Sequence, residues 1–215
     1  MYITKTVSKD GNQPYPVSNP ANDTLLWSKF REGCPTAFAL LYKQHAASLY
    51  QYGLKLAACS EVVEDCIHDL FVELWERKAH LRTPASVIFY LLKALKHKII
   101  QANRERGKTK HLSVESPCSP SPADVLIEDE QEQELRWALA WAIDRLSPRQ
   151  QEVVFLLFYE GMSHSEIAQI MNISYQGVSN LVYRTMKTLR QQVAPASPVS
   201  NQKIASLILL LLACS

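Results

Sequence analysis

A short stretch near the C-terminus carries the pattern that most restricts how this chain can fold. Ser163 and Glu166 form a capping box, in which the serine accepts from the third backbone N–H and the glutamate reaches back to the cap. Apolar residues at helical spacing follow, and Asn172 is suited to end that short helix in the left-handed conformation. Ser174 then caps a second helix that continues to about Val193. Two helices joined so tightly are typical of a helix-turn-helix, whose second helix lies in the major groove of DNA.

The second of these helices has an outward face of polar and aromatic side chains. Glutamine, asparagine and arginine can read base edges, whereas serine, tyrosine and lysine suit phosphates. The predicted DNA contacts on this face are Tyr175, Gln176, Ser179, Asn180, Tyr183, Arg184 and Lys187. The alternative is a plain helical hairpin with a solvated polar face. The helix caps, the tight turn between the two helices and the polar face together favour DNA binding.

Charge is distributed unevenly along the 215 residues, although the formal net charge is only +2. Residues 1–110 contain 16 basic and 10 acidic side chains, and residues 136–215 contain seven basic and four acidic ones. Residues 111–135 contain seven acidic side chains and no basic one. Prolines at 117, 120 and 122 disfavour helix there and keep the chain extended. We therefore predict an acidic linker between two cationic units, and the small total charge does not argue against nucleic-acid binding.

Apolar residues recur at helical spacing on both sides of this linker, and no alternating strand pattern of useful length is present. Four helices are predicted in the first unit, from Asp23 to Gly33, from Pro35 onward, from Ser60 to about His80 and from about Ala85 to Arg106. In the second unit, a helix that starts at Ser147-Pro148 and ends at Gly161 precedes the helix-turn-helix. The predicted fold is all-α: an N-terminal helical bundle and a C-terminal helix-turn-helix domain, two small helical domains joined by a flexible acidic linker.

The predicted domain organisation has five parts. They are a disordered lead-in at 1–22, the helical bundle at 23–110, the linker at 111–134, the helix-turn-helix domain at 135–193, and a linker with an apolar tail at 194–215. The apolar run in that tail, residues 204–215, would span roughly 16 Å as a helix, about half of a bilayer core. It is too short to cross a membrane alone, so we expect it to dock on the protein's own surface or on a regulator.

Composition excludes several classes of protein. None of the six glycines belongs to a GxGxxG or GxxxxGK[ST] loop that cradles a nucleotide phosphate. The five cysteines are odd in number and lack CxxC spacing, which favours reduced thiols in a cytoplasmic protein over disulfides or a zinc site. The histidines are scattered, and no nucleophile, base and orienting group form a recognisable arrangement. We therefore expect no enzyme activity, no catalytic residue, no cofactor, no bound metal and no small-molecule substrate.

Acidic and aromatic residues form two ridges along the predicted third helix. Asp65 and Asp69 lie one turn apart, as do Phe71 and Trp75. An exposed aromatic side chain beside charges is typical of a protein interface. The alternatives are core packing for the aromatic residues, which suits Phe71 better than Trp75, and a solvated face for the acids.

The predicted fourth helix ends in a strongly basic stretch. Residues 93–110 contain seven basic side chains and one acidic one. One helical face holds Lys93, Lys96, His97, Ile100 and Arg104. With Phe89 and Tyr90 nearby, this face suits a DNA strand that is being separated, because phosphates meet cations and unstacked bases meet rings. The alternative is a basic helix end that the helix dipole favours.

In order and spacing, these segments resemble the small extracytoplasmic-function (ECF) sigma factors of the bacterial sigma-70 family. Residues 33–50 are similar to the opening helices of that family, and residues 64–76 to its acidic and aromatic polymerase-docking helix. Residues 90–104 resemble its promoter-melting helix. Residues 146–168 resemble the part that reads the upstream promoter element.

The resemblance implies a role for each unit. Core RNA polymerase would be bound through Asp65, His68, Asp69, Phe71 and Trp75. The minus-10 element would be bound and melted through Tyr90, Lys93, Lys96, His97, Arg104 and Arg106. The outward face of the last helix would read the minus-35 element. The resemblance further implies promoter DNA and an anti-sigma factor as partners, and a cytoplasmic protein that such a partner can hold at the inner membrane.

Four positions depart from the usual pattern of the family. His68 replaces a glutamine, which makes a pH-sensitive polymerase contact conceivable. His97 and Gln101 replace an asparagine and an aspartate in the melting helix. Ser179 stands where a basic residue is common, so the family's base preference does not carry over.

Two other functions compete with a polymerase subunit. A helix-turn-helix transcription regulator would use its first unit to sense a ligand or dimerise, and would bind promoter duplex tightly by itself. A membrane-associated adaptor would instead use the apolar tail to bind lipid.

Overall fold

The computed structural model describes residues 20–57, 59–107 and 130–193. Its α-helices are α1 (Pro20–Arg31), α2 (Pro35–Leu54), α3 (Ser60–Arg77), α4 (Val87–Gly107), α5 (Glu130–Asp144), α6 (Pro148–Val154), α7 (His164–Met171) and α8 (Tyr175–Val193). A 3-10 turn over Lys78–His80 follows α3, and a π-helical turn over Phe155–Tyr159 extends α6. These residues contain no strand, which confirms the predicted all-α class. Most of the predicted lead-in and acidic linker, and all of the tail, lie outside the described part of the chain.

α1 begins at Pro20, ahead of the predicted cap Asp23. The Asp23 carboxylate instead contacts α2. It is buried and accepts a hydrogen bond from Nε2 of Gln44 on α2. The imidazole of His45 lies beside it, with Nε2 3.7 Å from a carboxylate oxygen. Burial lowers the pKa of His45, although the charge of Asp23 acts in the opposite direction. The Asp23 side chain therefore joins α1 to α2.

The first four helices enclose an aromatic core centred on Trp27. Its indole is 1% exposed and meets the rings of Phe30 and Tyr90 edge to face, with centroids 5.3 and 5.4 Å away. Its Nε1 donates a hydrogen bond of 3.2 Å to the carbonyl of Arg82, between α3 and α4. A buried indole needs such a partner, because an unpaired polar N–H in a core is costly. One side of the Tyr90 ring, a predicted DNA contact, therefore packs against the core.

Helices α5, α6 and α8 pack around a second, smaller core, whereas the buried side chains of α7 belong to the larger one. The main members of the smaller core are Leu139, Ala142, Ile143, Leu146, Val154, Leu189 and Val193. α6 begins at Pro148 as predicted, and Oε1 of Gln150 accepts from the Ser147 backbone N–H at 3.0 Å. The extended helix stops before Gly161, whose φ of 64° suits a residue without a side chain. Among the described helices, none combines the length and apolar character needed to cross a membrane.

The two units are packed against each other and share a continuous core. Phe155 and Leu156 of the second unit belong to the same buried cluster as Leu49 and Tyr52 of α2. The rings of Tyr52 and Phe155 stack with centroids 5.9 Å apart. α4 and α7 are also in contact. The sequence predicts two units but not this packing, because apolar periodicity shows which face is buried and not what covers it.

Candidate functional site

The helix-turn-helix forms as predicted, and local hydrogen bonds account for its geometry. The Ser163 backbone N–H donates to Oε2 of Glu166 at 2.9 Å, and Ser163 Oγ accepts from the Glu166 N–H at 3.3 Å. Asn172 ends α7 in the left-handed conformation, with φ 53° and ψ 51°. Ser174 Oγ accepts from the backbone N–H of Gly177 at 3.0 Å and so caps α8. These contacts fix the turn that orients α8 relative to α7.

The outward face of α8 holds the predicted DNA contacts. Six of them are exposed: Tyr175, Gln176, Asn180, Tyr183, Arg184 and Lys187. The seventh, Ser179, is half-buried, with Oγ 3.3 Å from Nδ1 of His164 on α7. The opposite face of α8 packs inward through Val178, Thr185 and Leu189. The helix therefore has one buried face and one exposed face that a ligand as large as a DNA duplex can reach.

The exposed face of α8 is cationic and rich in amides. No acidic residue occurs between Tyr175 and Val193, whereas Arg184 and Lys187 are both exposed. Such a surface attracts phosphate. Gln176 and Asn180 lie one turn apart, and Gln176 Nε2 donates to Asn180 Oδ1 at 3.3 Å. This places two side-chain amides next to each other, and asparagine and glutamine amides are the groups that hydrogen-bond to the edge of adenine.

α3 presents its predicted acidic face to solvent. Asp65, His68 and Asp69 are all exposed. Phe71 differs, because its side chain is only 4% exposed and its ring centroid lies 4.9 Å from that of Tyr42. Phe71 packs in the core, so of the five predicted polymerase contacts it is the one that a partner does not reach in this arrangement.

Trp75 lies where the core of the first unit meets its surface. The ring is half-buried against Phe38, with centroids 5.1 Å apart. Nζ of Lys78 lies 4.2 Å from the ring centroid and also donates to the Trp75 carbonyl at 2.9 Å. The ring is therefore partly accessible and held in one orientation, as an interface anchor requires.

The predicted minus-10 contacts on α4 do not all lie open to solvent. Lys93, His97 and Arg104 are exposed, and Tyr90 is half-buried. The side chain of Arg106 lies outside the described part of the chain. A cleft of about 280 Å³ between α3 and α4 brings together Tyr90 and His97.

Two protein-family models match this chain. Sigma-70 region 2 matches residues 41–109, and Sigma-70 region 4 matches residues 136–189, so together they cover more than half of the sequence. The chain belongs to the sigma-70 family. Region 2 contains α3 and α4 with their acidic and basic faces, and region 4 contains the helix-turn-helix.

Curated relatives of this chain include members of the ECF group. It is 26% identical over 184 residues to the probable RNA polymerase sigma factor RfaY of Xanthomonas campestris pv. campestris, a match that covers 74% of this chain and 45% of the relative. It is 26% identical over 183 residues to the ECF RNA polymerase sigma factor BldN of Streptomyces coelicolor, with 82% and 68% covered. The chain therefore spans less than half the length of the first relative and about two thirds of the second.

The fold of this chain is shared with solved structures at low sequence identity. CnrH in complex with the cytosolic domain of CnrY matches with a TM-score of 0.53 and 20% identity, covering 82% of this chain and 99% of that one. The sigma factor RpoE in complex with the anti-sigma factor NepR from Bartonella quintana matches with a TM-score of 0.56 and 18% identity, covering 73% and 96%. These likenesses show the fold.

One buried group, Glu152 on α6, is absent from the predicted site. It is 5% exposed, and its Oε1 accepts from the Tyr52 hydroxyl at 2.8 Å and from Lys96 Nζ at 2.6 Å. The side chain of Lys96 is only 15% exposed. Burial, and then the charge of Glu152, raise the pKa of Tyr52. Lys96, a predicted DNA contact, is therefore paired with a carboxylate of the other unit.

A weak signal for Glu152 exists in the sequence. The residue lies three and four positions before Phe155 and Leu156, so it shares their helical face. A carboxylate within an apolar stripe is stable only when a buried partner satisfies it. Periodicity could have marked Glu152 as paired, but it could not identify Lys96, which lies 56 residues away.

Proposed function

We propose that this chain is a dissociable sigma subunit of bacterial RNA polymerase, which recognises the minus-10 and minus-35 promoter elements and initiates transcription of a specific regulon. The region 2 unit extends over residues 23–110 and the region 4 unit over residues 135–193. The observation that carries the proposal is that both regions occur in order in one chain. The sigma subunit has no catalytic role of its own, because the polymerase performs the chemistry.

The acidic face of α3 is the proposed contact with core polymerase. Asp65, His68 and Asp69 offer exposed polar and charged groups, and Trp75 offers a fixed, partly accessible ring beside them. Charged groups around an aromatic anchor combine steering with desolvated contact area. Phe71 supports this face from within the core.

The basic face of α4 is the proposed contact with the melted minus-10 element. Lys93, His97 and Arg104 are exposed to the phosphates of a separated strand, and the half-buried Tyr90 offers a ring edge at the cleft between α3 and α4. Lys96 joins this face only when its ion pair with Glu152 is broken.

The outward face of α8 is the proposed reader of the minus-35 element. Gln176 and Asn180 carry paired amides for base edges, and Arg184 and Lys187 carry the positive charge for phosphates. Tyr175 and Tyr183 extend the contact on the same face.

An anti-sigma factor is the proposed protein partner besides polymerase. Two structures that share the fold hold CnrH with the cytosolic domain of CnrY and RpoE with the anti-sigma factor NepR. A partner that covers α3 and α4 here would block polymerase and DNA together. We place the chain in the cytoplasm, where an anti-sigma factor could hold it at the inner membrane.

Transcription with purified components tests the proposal. The full chain, mixed with bacterial core RNA polymerase that lacks a sigma subunit, is expected to give run-off transcripts from a subset of a genomic promoter library. The variant Arg184→Ala/Lys187→Ala is the matched control and should lose most of that product while still binding core enzyme. No product with the full chain, together with tight binding to promoter duplex without polymerase, would instead identify an independent helix-turn-helix regulator.

A further inference from the structure

Two tryptophans lie on the outer face of α5, and neither contributes to the core. Trp137 and Trp141 are each 54% exposed and lie one helical turn apart. They are on the side of α5 opposite to Leu139 and Ile143, which pack against α8. The guanidinium carbon of Arg145 lies 4.3 Å from the Trp141 ring centroid and extends the same surface.

This surface is unusual for a soluble helix and is not used by the proposed function. An indole buries 150–250 Å² when it is covered, and two of them side by side form an apolar patch of the kind that marks interaction sites. The proposed minus-35 contacts lie on α8, and the proposed polymerase and minus-10 contacts lie on α3 and α4. The Trp137–Trp141 face therefore requires an apolar occupant of its own.

The sequence supplies an apolar segment whose chain leaves the fold beside this helix. Residues 204–213 carry no charge, and Ser206 is their one polar side chain. Upstream of this segment, α8 ends at Val193, which is 1% exposed and packs in the same cluster as Leu139 and Ile143 of α5. The last described residue of α8 thus lies against α5.

The connection is long enough for the segment to reach the outer face. The ten residues 194–203 span at most about 33–36 Å when extended, and a helix with its side chains is only about 10–12 Å across. Pro195 and Pro198 favour an extended path. A short tether of this kind keeps the segment at an effective concentration of about millimolar or higher near α5, which favours it over an apolar partner in solution.

We propose that residues 204–213 dock on the Trp137–Trp141 face of α5 in the same molecule. Leucine and isoleucine side chains of the segment cover the two indoles, so that both apolar surfaces leave water together. The contact also removes an uncharged apolar run from solvent, where it would promote aggregation.

Photo-crosslinking in the full chain tests this contact. A benzophenone amino acid replaces Ile208, the protein is irradiated at low concentration, and the attachment site is located by mass spectrometry. Crosslinks within one molecule to the α5 peptide that contains Trp137 and Trp141 are expected. Crosslinked dimers would show that a second copy is the occupant, and crosslinks to other surfaces of the same chain would place the segment elsewhere; either result overturns the proposal.

Two matched double variants control for the exposed aromatic rings. Trp137→Gln/Trp141→Gln should lower the equilibrium constant for docking by about tenfold or more, the effect of losing about 1.4 kcal/mol of contact free energy, and should therefore lower the yield of the α5 crosslink. Tyr175→Gln/Tyr183→Gln removes two rings from α8 that are more exposed than the tryptophans and should leave the yield unchanged. All four side chains are exposed, so both variants should keep the helical content of the parent in circular dichroism.

Vesicle flotation separates docking from lipid binding. With vesicles of phosphatidylethanolamine and phosphatidylglycerol, the full chain is expected to stay in the soluble fraction because its apolar segment is already covered. Flotation of the full chain that disappears when residues 204–213 are deleted would show a membrane as the occupant and overturn the proposal.

Discussion

Gly53 determines how closely α2 approaches α3. A Cβ at this position would overlap Cγ1 of Val63, which is fully buried and, as a β-branched residue, cannot swing aside freely. We expect Gly53→Ala to lower the free energy of unfolding by about 1–3 kcal/mol, the usual cost of overpacking, as measured by urea denaturation. The double variant Gly53→Ala/Val63→Ala should lose less than the sum of the two single changes. Strictly additive losses would show that the two side chains do not compete for this space.

Glu160 carries a carboxyl group whose ionisation opposes folding. Its Oε1 is buried without a hydrogen-bond partner, and burial raises the pKa of the carboxyl to about 7, against a weaker opposite effect of a hydrogen bond with Ser48. The folded protein therefore keeps a proton that the unfolded chain releases near pH 4.5. The contribution of Glu160 to stability falls as pH rises from about 4.5 to about 7, and it stays low above that range.

The variant Glu160→Gln removes this titration while keeping the shape of the side chain. We expect it to raise the free energy of unfolding at pH 8 by up to roughly 3 kcal/mol, and to change it little at pH 4.5. Urea denaturation at both pH values measures the effect. Glu32→Gln, an exposed substitution, serves as the control and should show no such dependence. A Glu160→Gln effect that is equal at both pH values would contradict the assignment.

Asp69 tests the acidic face of α3 without disturbing the core. Because the side chain is exposed, Asp69→Arg should leave the melting temperature nearly unchanged. We expect it to weaken binding to core polymerase by about tenfold or more, since like charges placed across an interface cost free energy. Glu32→Arg makes the same charge change in the turn between α1 and α2 and should leave affinity unchanged. Equal loss in both variants would point to net charge and not to this face.

The turn between α7 and α8 depends on Asn172, the one described residue other than glycine with a positive φ. A left-handed backbone costs most residues with a side chain about 1–2 kcal/mol, whereas glycine adopts it freely. We expect Asn172→Ala to lower the free energy of unfolding by about 1 kcal/mol and Asn172→Gly to be nearly neutral, both measured by urea denaturation. If alanine is tolerated as well as glycine, the turn does not require this conformation.

Helices whose ends are set by local contacts were predicted well. The helix start at Ser147-Pro148, the capping box at Ser163 and the left-handed Asn172 each involve residues within a few positions, so the sequence contains all of the partners. The start of α1 was wrong, because Asp23 binds Gln44 of another helix and does not act as a cap. Helix ends could therefore be read from the sequence wherever no tertiary contact competes for the capping side chain.

The candidate site, like the helix ends, was predictable where short-range sequence patterns determine it. The outward face of α8 follows from its apolar period, and six of its seven predicted side chains are exposed. For Phe71 the sequence left polymerase contact and core packing open, and the structure shows core packing against Tyr42 of another helix. Lys96 could not be placed, because its partner Glu152 lies on another helix, far away in the sequence. Periodicity assigns a side chain to a face, and only the packing of helices decides whether that face meets solvent, a hydrophobic neighbour or an opposite charge.

The packing of the two units links the structure of the molecule to its proposed activity. Glu152 of region 4 holds Lys96 of region 2, and the ring of Tyr52 stacks on Phe155 across the same boundary. While this arrangement persists, region 2 lacks one of its predicted phosphate contacts. Separation of the two regions would release Lys96 and expose the buried polar network to water. In the proposed function, the packing of the two regions and the binding of DNA therefore compete for the same ammonium group.

Substitutions at the two ends of this ion pair should act alike on stability and oppositely on DNA binding. Glu152→Ala and Lys96→Ala each break the buried ion pair and should lower the free energy of unfolding, Lys96→Ala by about 3 kcal/mol because Glu152 then stays buried without its partner. Glu152→Ala also releases Lys96, so the protein without polymerase should bind promoter DNA more tightly. The slope of the logarithm of the binding constant against the logarithm of salt concentration should become steeper by about one. The Lys96→Ala variant should bind promoter DNA more weakly, and its affinity should depend less steeply on salt concentration.

Fluorescence anisotropy with labelled promoter DNA measures these affinities, and small-angle scattering reports whether the two regions separate. Tyr52→Phe is the matched control, because it removes one hydrogen bond to Glu152 but keeps the ion pair. It should cost about 1 kcal/mol of stability and leave DNA affinity unchanged. If Glu152→Ala expands the molecule but weakens DNA binding as Lys96→Ala does, Lys96 is not the group for which closure and DNA compete, and its place on the minus-10 face must be given up.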